Sequence, residues 1–384
     1  MSCIDLVVGP QHPALHESER FTFKVEGEVV VDVEPRLGYI HRGIEKALER
    51  RSIVQGLYLA ERVCGICNVA HSLCYSQAME DVCGVEPPER AKYLRVIAHE
   101  LNRIHSHLLL LGVAGELIGF MTLFMLLWRD REVVMDLFER FTGNRVNSAY
   151  NVVGGVRRDL DDSLARDLEK AMDSLSGKMR GYRKVFMEDP TVRARAVGVG
   201  ALSRHKAVEL CAVGPTARGS GVRADVREYR PYAAYEGLDF HPVVYEEGDV
   251  WARLMVRVDE VLEAAELVKQ CLRKMPSGQL RARAPRFIPA GEGFSVVEAP
   301  RGDLNYHVYG RGAVTPDRVK IRTPTYANIP ALCEMLKGGY VADIPASLVS
   351  IDPCFACTDR LAVVDVGTGR RWTTTIYELA GRAR

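Results

Sequence analysis

The sequence has no apolar run long enough to cross a bilayer. Its longest, Leu117 to Trp128, covers twelve residues and contains Gly119 and Thr122, against the ~20 that a spanning helix needs. It reads as a helix buried in protein. There is no excess of either charge: Lys plus Arg is 51 and Asp plus Glu is 50. No global field exists to gather nucleic acid or acidic lipid, and no nucleic-acid partner is expected. The start, Ser2-Cys3-Ile4-Asp5, lacks the basic and then apolar order of a secretion signal. Without one, the ten cysteines are expected in a reducing compartment, free or on metal. A phosphate-cradling loop is missing as well. Gly198-Val199-Gly200-Ala201 and Ala217-Arg218-Gly219-Ser220-Gly221 are glycine loops with no Gly-Lys-Ser/Thr after them, which argues against nucleotide binding. No repeat, low-complexity tract or linker divides the chain, so residues 1–384 are expected to form one domain.

What is present is a chain rich in regular structure. Phe21-Thr22-Phe23-Lys24-Val25 alternates, and Val29-Val30-Val31-Asp32-Val33 is a strong strand former, with Glu26-Gly27-Glu28 as the turn between them. A helix is expected from Ile44 to about Leu59. Helical spacing of Leu94, Ile97, Leu101, Ile104 and Leu108, a second helix through Leu117 to Phe138, a polar helix from Asp162 and an amphipathic one from Gly248 to Met275 follow. The last third reads as strand and loop, with a hairpin signal around Gly367-Thr368-Gly369. The expectation is α+β: a β-rich part at 1–45, a core of long helices at 46–280 flanked by small antiparallel sheets, and a β/loop part at 281–384. His99, His105 and His107 read as core or surface histidines.

Two stretches carry chemistry. Glu61-Arg62-Val63-Cys64-Gly65-Ile66-Cys67 places two sulfurs within reach of one metal ion, and His71 follows one helical turn later. Asp352-Pro353-Cys354-Phe355-Ala356-Cys357 repeats the spacing near the other end. A lone Cys-x-x-Cys is ambiguous, but two of them suggest four sulfurs gathered by the fold. Thiolates suit zinc, iron–sulfur clusters and nickel alike. A structural zinc site and four unrelated buried thiols remain alternatives, although zinc pairs usually lie closer together in sequence.

These two motifs resemble the signatures of the [NiFe]-hydrogenase large subunit. Gly9-Pro10-Gln11-His12-Pro13, the Gly154-Gly155-Val156-Arg157-Arg158-Asp159 loop and Arg218-Gly219-Ser220-Gly221 resemble segments of the quinone-proximal core subunit of respiratory complex I. The combination is similar to the energy-converting, membrane-bound (Ech-like) branch of the hydrogenases, across nearly the whole chain. Complex I subunits have lost the paired cysteines, so their presence here implies hydrogen chemistry. The resemblance implies a nickel–iron centre, its iron carrying carbon monoxide and cyanide, held by Cys64, Cys67, Cys354 and Cys357. Cys67 and Cys357 would bridge to iron, and His71 would hydrogen-bond a bridging sulfur. Arg301, in Ala299-Pro300-Arg301-Gly302, would overhang the metal.

Two acids match as well. Glu26, in Val25-Glu26-Gly27, matches the glutamate that passes protons to a nickel thiolate, with a solvated turn carboxylate as the alternative. Glu45 matches an acid near a magnesium or iron site. Arg360 stands where many members have the histidine that completes that site, so an arginine partner for Glu45 is the alternative. Many relatives are trimmed after the second motif, whereas this chain continues for 24 residues past Arg360. The implied activity is reversible reduction of protons to hydrogen. No ferredoxin-type cysteine run is present, so electrons would come from an iron–sulfur small subunit, ultimately from a ferredoxin-type donor. Integral membrane subunits would anchor the chain peripherally at the cytoplasmic face. A complex I-like quinone oxidoreductase and a zinc-stabilised scaffold are the competing readings.

Overall fold

The structure, a computed structural model, describes residues 3–15, 17–358, 363–364, 367–369 and 371–372. It begins with an antiparallel sheet of β1 (Ile4–Val8), β2 (Arg20–Glu26) and β3 (Val29–Arg36), in that order. Strand alternation decides its faces. Phe21, Phe23 and Val25 turn inward and are buried, while Lys24 and Glu26 turn outward and are exposed.

The expected single helix after this sheet is two: α1 (Ile44–Leu48) and α2 (Ile53–Glu61). The break has a local cause. Ser52 and Gln55 form a capping box, the hydroxyl accepting from Gln55 N and the amide oxygen from Ser52 N. Next come α3 (Asn68–Cys83), α4 (Glu89–Leu117) and α5 (Met121–Thr142). A short hairpin follows, β4 (Asn151–Val152) and β5 (Gly155–Val156), and then α6 (Asp162–Glu188). Four short helices lead onward: α7 (Pro190–Ala196), α8 (Arg204–Glu209), α9 (Gly214–Arg218) and α10 (Val226–Tyr229). The long α11 (Val250–Lys274) starts at Asp249, whose carboxylate caps Ala252 N. The apolar faces of α4, α5, α6 and α11 share one buried cluster, including Leu101, Leu108, Phe138, Leu168, Leu254 and Val261.

The last third holds the antiparallel sheet β6 (Gly291–Ala299), β7 (Gly302–Gly310) and β8 (Arg318–Arg322). It also holds two helices where only strand and loop were expected, α12 (Pro324–Leu336) and α13 (Ile344–Ser350). Pro324 sits in the first turn of α12, where no N–H is required, and Pro330 is carried inside the helix. Burial of Ile329, Leu332, Met335 and Leu336 against the first sheet holds it there. The two-residue strands β9 (Val363–Val364) and β10 (Arg371–Trp372) pair antiparallel around Gly367-Thr368-Gly369. Arg360 lies outside the described residues.

Candidate metal centre

Both cysteine pairs sit on turns beside helix ends. The first lies between α2 and α3, with Cys67 at the N-cap of α3. The second lies on a 3-10 turn, Phe355–Cys357, shortly after α13. Asp352 enters that turn with φ 56°, a left-handed conformation that an aspartate tolerates better than most residues. Arg42, which the sequence did not single out, ties the two turns together. Its guanidinium donates to Arg62 O at 2.8 Å, Val63 O at 2.9 Å and Ala356 O at 2.8 Å. Asn102 Nδ2 holds Ile66 O at 2.8 Å, and Thr323 Oγ1 holds Cys357 O at 2.8 Å.

The sulfurs converge from both ends of the chain. Cys64 Sγ lies 3.2 Å from Cys354 Sγ, which lies 3.1 Å from Cys357 Sγ. These three sulfurs fall within 4.8 Å of one another and are buried, the arrangement a shared soft metal requires. Cys67 touches Cys64 but stands outside that set of three. Its sulfur instead meets Arg301 Nη1 at 2.9 Å. Contact with the other three sulfurs, Cys354 first, holds Cys64 well below the ordinary thiol range. Cys64 in turn pushes Cys67 up, and Cys354 pushes Cys357 up. One negative charge on four clustered thiols is favourable; a second is not, unless a cation shares the site.

Arg301 occupies the two-residue turn between β6 and β7 and is 1% exposed. Its Nε donates to Asp352 O at 2.7 Å, Nη2 to Asp352 Oδ1 at 2.6 Å and Nη1 to Ser106 Oγ at 3.2 Å. The turn is placed by glycines. Gly214, with φ 63°, lies so close that a Cβ there would stand 2.5 Å from Gly302 Cα and against the Arg301 carbonyl. Arg62, two residues before Cys64 in sequence, is exposed and donates to Tyr58 O at 2.7 Å. His71 is buried, with Nε2 4.0 Å from Cys357 Sγ and Nδ1 2.8 Å from Tyr306 Oη. Burial lowers its pKa to about 4, so its ring is neutral.

Of the two acids, Glu26 falls elsewhere than expected, and Glu45 takes the arginine partner named as its alternative. Glu26 is exposed at the end of β2, because the alternation that buries Val25 turns its neighbour to solvent. The acid that reaches the sulfurs is Glu17, in the loop between β1 and β2. Its Oε1 is 3.8 Å from Cys354 Sγ, and its Oε2 accepts from Ala356 N at 2.7 Å. Burial raises its pKa, against the lowering effect of the Ala356 N–H. Glu45 is engaged by donors: Ile321 N at 2.9 Å on Oε1, and Arg318 at 3.3 Å and Lys320 at 3.7 Å on Oε2. It lines a narrow cavity with Ile44, Val63, Ile321, Thr323, Tyr326 and Cys357. The three histidines of α4 are core residues: His105 meets Ile66 O, His107 meets Glu260, and His99 meets Tyr232 and Tyr235.

Comparisons with known proteins agree with this architecture. The family of nickel-dependent hydrogenases matches residues 42–111. The family of the respiratory-chain NADH dehydrogenase 49 Kd subunit matches residues 118–289 and 286–360. The carbon monoxide-induced hydrogenase of Rhodospirillum rubrum is 42% identical, over 94% of this chain and 100% of that protein. The alpha chain of the membrane-bound hydrogenase of Pyrococcus furiosus is 40% identical, over 95% of this chain and 89% of that one. A component of the NADH-quinone oxidoreductase of Sinorhizobium medicae, at 36% identity over 92% and 95%, is similar as well. A chain in the structure of the membrane-bound sulfane sulfur reductase, an archaeal respiratory membrane complex, superposes with a TM-score of 0.89. It is 34% identical, with 93% of this chain and 98% of that chain covered. The chain therefore belongs to the family that unites [NiFe]-hydrogenase large subunits with the 49 Kd subunit of the respiratory NADH dehydrogenase, on its membrane-bound hydrogenase branch.

Proposed function

We propose that this chain is the catalytic subunit of a membrane-associated [NiFe] hydrogenase. It would join two protons and two electrons into hydrogen, and run the reverse. The observation that carries the reading is the meeting of four buried thiols, an arginine and a carboxylate from opposite ends of the sequence. Cys64, Cys67, Cys354 and Cys357 would hold the nickel–iron centre. When bound, the nickel–iron centre supplies the soft redox site at which hydrogen forms or splits. The chain's own groups do the rest. Arg301, fixed by Asp352, holds a positive charge over Cys67 without reorganising. Glu17, in the place expected for Glu26, would exchange a proton with the Cys354 sulfur, which its Oε1 faces at 3.8 Å, and burial raises its pKa above the ordinary carboxylate range. The donors around Glu45, Arg318 among them, favour an arginine partner over a magnesium or iron ion there.

Electrons would enter from an iron–sulfur small subunit seated near the cysteine turns, supplied by a ferredoxin-type donor. Among the described residues no helix is long and apolar enough to cross a membrane. Attachment at the cytoplasmic face would thus run through integral membrane subunits, which would couple turnover to ion translocation. Residues 1–384 would form one domain, since its first and last motifs build one site. The similarity to an NADH-quinone oxidoreductase favours a second reading, in which the chain serves a quinone. Element analysis and proton–deuterium exchange on the purified complex separate them. Nickel and iron with exchange are expected; zinc alone would indicate a scaffold, and quinone reduction without nickel the second reading.

A further inference from the structure

His71 stands between two partners, and what it offers Cys357 depends on which ring nitrogen carries the hydrogen. Its Nε2 faces Cys357 Sγ at 4.0 Å, and its Nδ1 faces Tyr306 Oη at 2.8 Å. Tyr306 lies in the middle of β7, wholly buried, its ring edge-on to both His71 and Tyr75 at interplanar angles of 80°. Neighbouring groups are engaged elsewhere: Tyr75 donates to Ile53 O, and Cys74 to Ser295 O and Leu304 O. Among the described residues, His71 Nδ1 is the acceptor that the Tyr306 hydroxyl meets.

A phenol has one hydrogen to give. A buried donor left without an acceptor costs roughly 1–3 kcal/mol. If Nδ1 carried the ring hydrogen, it would donate to Tyr306 and leave that phenol hydrogen with nothing to bond. If the phenol donates, both groups are satisfied and the ring hydrogen sits on Nε2, aimed at Cys357. We propose that Tyr306 is a positioning residue: by donating its O–H to Nδ1, it fixes His71 as the Nε2–H tautomer and directs that N–H onto the Cys357 sulfur.

The consequence is electronic. An N–H directed at a thiolate draws charge from the sulfur and makes it a weaker donor to whatever metal it holds. The tautomer itself stands without the metal; only its effect on Cys357 as a ligand rests on the proposed function. Tyr306→Phe removes one oxygen and keeps the ring packing, so Nδ1 loses its donor and the two tautomers become comparable.

The decisive measurement is the ring nitrogen spectrum of the full-length, metal-free chain carrying 15N-histidine, the His71 signals assigned by their loss in His71→Gln. In the unaltered chain, Nε2 should be protonated and Nδ1 not. In Tyr306→Phe the pattern should move toward a mixture or toward Nδ1–H. A protonated Nδ1 in the unaltered chain overturns the proposal, as does an unchanged pattern in Tyr306→Phe. A second readout uses the intact complex. With equal metal content, the infrared bands of the carbon monoxide and cyanide on iron should shift in Tyr306→Phe. Absence of those bands in both proteins would count against the nickel–iron reading and leave the tautomer result intact, whereas unshifted bands would end the proposed influence on Cys357.

Discussion

Glu17 and Cys354 are 337 positions apart in sequence, yet the carboxylate stands 3.8 Å from the sulfur. The same carboxylate accepts the N–H of Ala356, so the loop between the first two strands is pinned to the second cysteine turn. A proton acceptor beside a thiol needs reach first, and Glu17 has it; burial also raises its pKa. Glu17→Gln keeps the shape and the bond to Ala356 but cannot titrate. It should load nickel and iron as the parent does and lose about 10²-fold or more in hydrogen evolution and in proton–deuterium exchange. Glu26→Gln, at an exposed hairpin end, should leave both rates at the parent level. Normal exchange in Glu17→Gln would eliminate it as the relay.

Arg301 makes a different demand. Its planar fork spends two nitrogens on Asp352 and one on Cys67 and Ser106. Lysine has one nitrogen and cannot reproduce that division. Arg301→Lys should depress turnover by about 10²-fold or more, the scale for losing one preorganised electrostatic group, with nickel and iron content unchanged. Activity within a few-fold of the parent would show that the fork is dispensable.

How Arg301 is placed can be tested at a distance from the sulfurs. Gly214 packs its Cα face on the Arg301–Gly302 backbone and has a positive φ. Gly214→Ala adds a methyl where backbone already stands, in a conformation alanine disfavours. Overpacking of this kind costs roughly 1–3 kcal/mol, and the turn that carries Arg301 must shift to relieve it. A lower denaturation midpoint is expected together with reduced turnover per nickel; unchanged values of both would mean that the turn is placed by something else.

The parts of this fold that are legible in sequence are those with a local period. Phe21, Phe23 and Val25 announce a strand by alternation, and Leu94 to Leu108 a helix by its 3-to-4-residue spacing. The same alternation, carried one residue further, places Glu26 in solvent, against its match to a family motif. Ser52 and Gln55 spell out a capping box inside a span that otherwise suggests one helix. Helix α12 is hidden because Pro324 and Pro330 speak against helix locally, while its stability comes from the sheet it covers. Glu17, Arg42 and Tyr306 have no local signal at all. Each matters through a partner far along the chain, and only the fold makes those pairs.

Stability against pH offers the remaining test, at Glu61 just before the first cysteine turn. Its carboxylate is fully buried, and both oxygens accept from Ala149 N, at 2.8 and 2.9 Å. Burial raises its pKa from 4.5 to about 7, more than the Ala149 N–H, Ser72 and Arg62 lower it. The fold thus binds this proton more tightly than the unfolded chain does. An acid raised in this way contributes stability that is fully present below the unfolded value. That stability fades as pH climbs from about 4.5 to about 7. At about 1.4 kcal/mol per pKa unit, the loss across that window is at most about 3.5 kcal/mol. Glu61→Gln stays neutral and still offers a carbonyl oxygen to Ala149. Other buried acids, such as Glu19, also raised to about 7, titrate in both proteins, so the difference between them isolates Glu61. Denaturant unfolding of the metal-free chain should show the variant losing less stability than the parent between about pH 5 and about pH 7.5. Parallel losses in the two proteins would mean that Glu61 is ionised at the lower pH, held by Ala149 and Arg62 more firmly than burial opposes it.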